Sequence, residues 1–187
     1  FRLIYNFNDY FLDFEEAFDE MIKFYPNWLA IPQLNVEYYL DKDGNVAKRT
    51  KKELENAKYD IVICSPMHRA IQTAEIINKD KNVQMITDER IRERELEGHE
   101  ITNEMEKKIW NYDLNYQIPK GENLHDFEKR ILDFLNDIKK KYEGKTVLIV
   151  AHGGVAKVLK AHLYGMPKSK NLSEIEIKNC EIIETEI

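Results

Sequence analysis

The stretch "VLIVAHGGVAKVLKAHL", residues 147–163, joins an apolar strand directly to a helix. Five apolar residues lead to His152, and two glycines then open the helical pattern. One face of that helix carries Val155, Val158, Leu159, His162 and Leu163. The unpaired N–H groups of a first helical turn, together with the helix dipole, favour a bound anion. The stretch therefore predicts an anion site at His152 and Gly153.

A second strand and helix occur in "YDIVICSPMHRAIQTAEII", residues 59–77. The apolar, β-branched run ends at Ser-Pro, and a helical pattern follows through Met67, Ala70, Ile71, Ala74 and Ile77. Ser65 is then predicted to cap the helix, with Pro66 at its first position.

A third periodic segment, residues 122–142, predicts a long amphipathic helix. Its apolar positions are Leu124, Phe127, Ile131, Phe134, Leu135, Ile138 and Tyr142. Residues 11–24 predict another helix, and the alternating tail predicts edge strands. Strands that alternate with helices indicate an α/β fold, a three-layer sandwich with a mostly parallel central sheet and helices on both faces.

Length and composition predict one globular domain over residues 1–187, of which 1–58 are atypical. A net charge of −6 with mixed signs argues against nucleic-acid or membrane-surface binding. The two cysteines, Cys64 and Cys180, indicate neither a disulfide framework nor a metal cluster, and we expect no cofactor. A reducing, cytoplasmic location fits, since no membrane span or signal peptide is visible; the first residue, Phe1, leaves open an upstream segment.

Four motifs in order, "SPMHRAIQTAEII", "IRERE", "GENLHDFEKR" and "VLIVAHGGVAKVL", resemble the histidine phosphatase superfamily, which includes phosphoglycerate mutases and many small phosphatases. The resemblance covers roughly residues 59–187 and implies a site at the carboxyl ends of the strands. It also implies phosphate-ester chemistry, with hydrolysis of phosphoric monoesters favoured over mutase activity because the chain is short. The expected ligand is a phosphorylated small molecule or a phosphopeptide.

The resemblance implies that Arg69 and His152 hold the phosphoryl group and that Glu93 donates a proton. Ser65, Gly153 and Asn6 are the further predicted substrate-binding residues. Physical chemistry agrees with these assignments, because the planar fork of Arg matches phosphate oxygens and a nearby dianion favours a protonated carboxyl.

Glu93 lies in a charged run that is typical of a solvated face. The family has a glycine where Glu97 stands, so a shifted loop would give the acid role to Glu95 or Glu97 instead. Glu122 and Arg130 match the family's helix start and are interpreted as structural. The remaining histidines, predicted to be surface or packing residues, are His68, His99, His125 and His162.

The family's nucleophile is a histidine in an Arg-His-Gly motif that ends the first strand. No histidine precedes His68 in this chain, and the family spacing places Tyr5, Asn6 and Phe7 at those three positions. An amide does not accept a phosphoryl group, and Phe7 would crowd a position where the backbone approaches the anion.

Three explanations stay open for the missing motif. It lies outside the given sequence, the chain is a pseudophosphatase that acts as a binding or scaffold subunit, or another residue such as His99 has taken over. Under the second explanation, aromatic residues of the first third are candidates for a surface that binds a protein partner, with a place in the core as the alternative: Trp28, Tyr38 and Tyr39. The sequence predicts little or no turnover by residues 1–187.

Overall fold

The computed structural model describes residues 2–6, 50–96, 102–178 and 181–186. These residues form a sheet of five strands in the order β3-β2-β4-β1-β5. The strands are β1 (Arg2–Asn6), β2 (Ile61–Cys64), β3 (Met85–Thr87), β4 (Val147–His152) and β5 (Ile182–Glu184). The pairs β3–β2, β2–β4 and β4–β1 are parallel, and β5 runs antiparallel to β1. The mostly parallel sheet predicted from the sequence is thus confirmed.

Within the described ranges the sheet is accompanied by helices α1 (His68–Asn78), α2 (Asn103–Ile109), α3 (Leu124–Lys141) and α4 (Gly153–Tyr164), and residues 50–53 are also helical. The same ranges contain short 3-10 helices at Glu89–Ile91 and Leu172–Glu174. Asn123 caps α3 by accepting a hydrogen bond from Asp126 N, and the predicted apolar stripe of α3 is buried except for half-buried Tyr142.

The side chains of the central strands alternate between two apolar cores. Ile63 and Ile149 pack on one face with residues of α3 and α4, such as Phe127. Val62 and Leu148 point to the other face, which α1 covers. Because both faces are covered, every residue of β2 and β4 is buried. The architecture is the three-layer sandwich expected from the sequence.

The start of α1 differs from the prediction. The helix begins at His68 with Met67 as its N-cap, so Pro66 lies before the helix and Ser65 does not cap it. The Ser65 hydroxyl lies 2.7 Å from His152 Nε2, and it accepts a longer hydrogen bond, 3.3 Å, from the N–H of Met67, the N-cap residue itself. The predicted N-cap was therefore wrong by two residues, because a tertiary partner and not the first helical turn positions the Ser65 side chain.

In the described part of the tail, residues 171–178 and 181–186, there is one edge strand, β5, where the alternating pattern predicts more than one. Residues 172–174 form a 3-10 helix instead. Several predictions lie outside the described residues: the helix at 11–24, the atypical aromatics Trp28, Tyr38 and Tyr39, and Cys180. None of the helices in the described ranges is long and apolar enough to cross a membrane.

Candidate functional site

The carboxyl ends of three neighbouring strands meet at one edge of the sheet. β4 ends at His152 and β1 at Asn6, and these two residues are register partners. Ser65 directly follows β2, and its N–H donates to Val150 O at 2.9 Å. The parallel order of the strands therefore brings three predicted site residues to the same edge.

A buried chain of polar contacts runs from Ser65 through His152 to Arg69. Ser65 Oγ lies 2.7 Å from His152 Nε2, and Arg69 Nη2 lies 3.1 Å from His152 Nδ1. A guanidinium has only donors, so Nδ1 must accept and the ring proton lies on Nε2. His152 is therefore a neutral imidazole that donates its Nε2–H to Ser65.

This tautomer decides what Ser65 can do. A serine becomes a nucleophile when an adjacent base takes its proton. Here the facing nitrogen, His152 Nε2, already carries a proton, and Ser65 is fully buried. The Ser65 hydroxyl thus orients the His152 ring and is not activated by it.

Burial dominates the electrostatics of the pair. It lowers the pKa of His152 to about 4, with Glu93 opposing this effect and Arg69 adding to it. Burial likewise lowers the pKa of Arg69 to about 10, so its guanidinium is still charged at neutral pH. Arg92 lies close enough for its charge to lower the pKa values of both groups. At neutral pH the buried pair carries one positive charge, which suits an anion.

The lowered pKa of His152 makes folding stability depend on pH. Between pH 6.5 and about 4 the unfolded chain holds a proton on this ring that the folded chain does not. The free energy of unfolding therefore falls as pH falls through this window, by at most about 3 kcal/mol from this residue. We expect His152→Gln to flatten that slope. Urea unfolding of both proteins from pH 7.5 to 4.5 measures it, and parallel slopes would contradict the buried neutral histidine.

Glu93 reaches the start of α4 from the loop after the first 3-10 helix. Its Oε2 accepts from Gly154 N at 3.0 Å, and its Oε1 accepts from Arg94 N at 2.9 Å. A helix N-terminus stabilises a negative charge through its unpaired N–H groups. The sequence predicted an anion at this helix start, and the structure places the chain's own carboxylate on Gly154.

Gly154 is packed too closely against Glu93 to carry a side chain. A Cβ atom at this position would lie 2.1 Å from Glu93 Oε1 and 2.8 Å from Trp110 Cη2. The second glycine of "HGG" is thus explained by the close approach of the carboxylate and the indole.

The predicted site residues divide into those that meet and those that do not. Arg69, His152, Ser65 and Glu93 are brought together, and Gly153 is buried as the first residue of α4. The alternative acid Glu95 is exposed, whereas Glu97 and His99 lie outside the described residues. Of the histidines that the structure describes, three are exposed: His68, His125 and His162.

Sequence reasoning missed two residues next to the acid. Arg94 is buried and donates to the carbonyl oxygens of Glu122 and Ile109, and its guanidinium lies 5.2 Å from the Trp110 ring centroid. In the sequence Arg94 is one of several charged residues in a run that is typical of a solvated face. Trp110 follows an unremarkable polar segment, so neither residue gave a signal from pattern alone.

Comparison with known proteins settles the family. The family model of the histidine phosphatase superfamily, branch 1, matches residues 32–187. This chain belongs to that superfamily. The matched range contains the strand ends at Ser65 and His152 and the acid loop at Glu93, whereas β1 precedes it.

Relatives and solved structures of the superfamily agree with this assignment. A Hydrogenobacter thermophilus protein named "Putative phosphoserine phosphatase 2" is 33% identical over 74% of this chain and 71% of its own length. The Escherichia coli adenosylcobalamin/alpha-ribazole phosphatase is 29% identical over 61% of each chain. The solved structure of Bacillus stearothermophilus YhfR matches with a TM-score of 0.66 and 28% identity, covering 82% of this chain and 86% of its own.

Proposed function

We propose that this chain binds phosphate monoesters at the strand ends, with Arg69 and His152 holding the phosphoryl group. One observation carries the proposal: Arg69 Nη2 lies 3.1 Å from His152 Nδ1 in a buried site where the histidine is neutral. A charged guanidinium in a poorly solvated site forms strong, directed hydrogen bonds to phosphate oxygens. The neutral imidazole adds one N–H donor, at Nε2, which reaches a phosphate oxygen by exchanging its contact with Ser65 for one with the ligand.

Glu93 serves as the proton donor of a phosphomonoesterase-type reaction. Its carboxylate is fixed by the N–H groups of Gly154 and Arg94, so its position is set before a ligand arrives. The negative charge of a bound phosphoryl group favours the protonated form of a nearby carboxyl, which takes its proton from solvent. A carboxyl group positioned beside a leaving oxygen can then supply the proton that an alcohol needs to depart. The exposed Glu95 has no comparable anchor.

The substrate class is a phosphorylated small molecule, and a phosphopeptide is the alternative ligand. Relatives named as phosphatases of phosphoserine and of adenosylcobalamin/alpha-ribazole support the former. We also propose that the chain is located in the cytoplasm. A protein partner that binds the first third of the chain is a further part of the proposal.

A second candidate function is phosphate recognition without turnover. Asn6 favours it, because this residue occupies the end of β1 beside His152, where the family resemblance calls for the nucleophilic histidine. Its amide can hydrogen-bond a phosphate but cannot take over the phosphoryl group. The two candidates share one binding site and differ only in the acceptor.

Calorimetric titration of the 187-residue chain with orthovanadate tests the shared proposal. We expect one site per chain, competed by inorganic phosphate, because both anions need the same donors. Sulfate at equal ionic strength controls for general attraction of anions. Heat that is absent, or that sulfate suppresses as well as phosphate does, would refute the site.

A further inference from the structure

Arg130, in the second turn of α3, contacts the main chain of the acid segment, which we define as residues 90–95. Its Nη1 donates to the carbonyl oxygens of Arg90 and Arg92, and its Nη2 donates to that of Glu93. Each carbonyl comes from the stretch that ends at the proposed acid. The guanidinium of Arg130 thus holds the main chain of the acid segment against α3.

Glu122 occupies the remaining donors of the same guanidinium. Its Oε1 lies 2.7 Å from Arg130 Nε, and its Oε2 lies 2.8 Å from Nη2. Together with the three carbonyl contacts, all five N–H groups of Arg130 are used. The two hydrogen bonds to Glu122 fix the plane of the guanidinium and also place a negative charge beside it. Phe127 lies under it, with its ring centroid 4.7 Å from Cζ.

The segment before α3 holds the acid segment through its main chain as well. Glu122 N donates to Glu95 O at 2.8 Å, and Arg94 Nε donates to Glu122 O at 2.9 Å. Gly121 permits this approach, since a Cβ there would lie 2.8 Å from Glu95 O. The acid segment is therefore fixed on both sides of Glu93, while Gly154 holds the carboxylate itself.

We infer that Arg130, oriented by Glu122, is a positioning residue that sets where the carboxylate of Glu93 meets Gly154. This inference rests on the proposed role of Glu93 as proton donor. Among the described residues the hydrogen bonds of Arg130 go to Glu122 and to the main chain of the acid segment. Its charge also contributes to lowering the pKa of His152, but its contact with Glu93 is made through the main chain. Displacement of that main chain moves the carboxyl group away from the helix start.

The amide resonance of Gly154 in the ¹⁵N-labelled full chain reports this position directly, because this N–H donates to Glu93 Oε2. Glu93→Ala gives the reference position for the lost contact. We expect Arg130→Lys to move the resonance in the same direction and by at least half as much, since one ammonium cannot span three carbonyls and a carboxylate. Lys129→Ala, which removes an exposed charge from the same turn, should leave it in place.

Three outcomes would overturn the inference. In the first, the Gly154 resonance of a folded Arg130→Lys protein stays at the wild-type position. In the second it moves equally in Lys129→Ala, and in the third the shifts extend to α1 on the opposite face of the sheet. The last result would show general loosening. Should Arg130→Lys fail to fold, Glu122→Gln keeps the arginine, removes the ion pair, and must move Gly154 in the same direction.

Vanadate titration of the same variants separates this inference from the proposed function. A wild-type chain that binds no vanadate refutes the phosphate site, but the Gly154 resonance still shows whether Arg130 positions Glu93. A chain that binds vanadate and keeps its Gly154 resonance in Arg130→Lys refutes the positioning role alone. Binding together with a displaced resonance supports both.

Discussion

Replacing Arg69 by alanine is expected to weaken vanadate binding by about 10- to 100-fold. A hydrogen bond to a charged group contributes roughly 1.5–3 kcal/mol, and this one lies in a site largely shielded from water. Arg69→Lys should recover only part of the loss, because an ammonium keeps the charge but not the planar fork. Calorimetry at constant ionic strength measures the vanadate affinity of the unaltered chain, of Arg69→Ala and of Arg69→Lys.

Arg92→Ala is the matched control for charge. The Arg92 side chain is 55% exposed, so its influence on the bound anion is screened by water and salt. We expect a change of no more than about threefold, which addition of salt should reduce. Equal losses for Arg69→Ala and Arg92→Ala would mean that net charge, not a specific contact, attracts vanadate.

Restoring a histidine to the end of β1 should produce the covalent intermediate that the unaltered chain lacks. Incubation with a labelled aryl phosphate is expected to give no acid-labile phosphohistidine in the unaltered chain. Asn6→His combined with Phe7→Gly should give it, because the register places residue 6 beside His152. The glycine restores the small residue that the family has next to the nucleophile.

Turnover should rise with the intermediate, by about 100-fold or more. Loss of a nucleophile costs up to ~10⁶ in kcat in enzymes whose catalytic residues act together, and electrostatic stabilisation alone leaves a residual rate. Asn6→Gln with Phe7→Gly is the matched control and should stay at the background rate. A phosphohistidine in the unaltered chain would refute recognition without turnover, and His152 and His99 would be the first residues to substitute.

The amphipathic helices and central strands could be predicted because their signals are periodic. The apolar spacing of α3 sets both its length and its buried face, and the run before His152 sets a strand buried on both sides. By contrast, β3 is three residues long and α2 is seven, too short for a period to be visible. The predicted start of α1 was wrong because the Ser65 hydroxyl contacts His152, a tertiary partner that local capping rules do not include.

The site could be predicted in its composition but not in its connections. Arg69, His152 and Glu93 stand out because their motifs carry chemistry. The contacts of Arg130 go to main-chain oxygens, which every residue has, so no sequence pattern identifies them. The choice between Glu93 and Glu95 likewise depends on which carboxylate reaches Gly154 N, a distance that the charged run does not encode.

A crystal structure of the 187-residue chain with bound orthovanadate would show whether Arg69 and His152 hold a phosphoryl group. We predict one vanadate at the carboxyl end of β4, with oxygens within hydrogen-bond distance of the Arg69 guanidinium and the His152 ring, and with the Glu93 carboxyl facing it. Vanadate bound at another face of the sheet, with the Arg69–His152 contact unchanged, would contradict it.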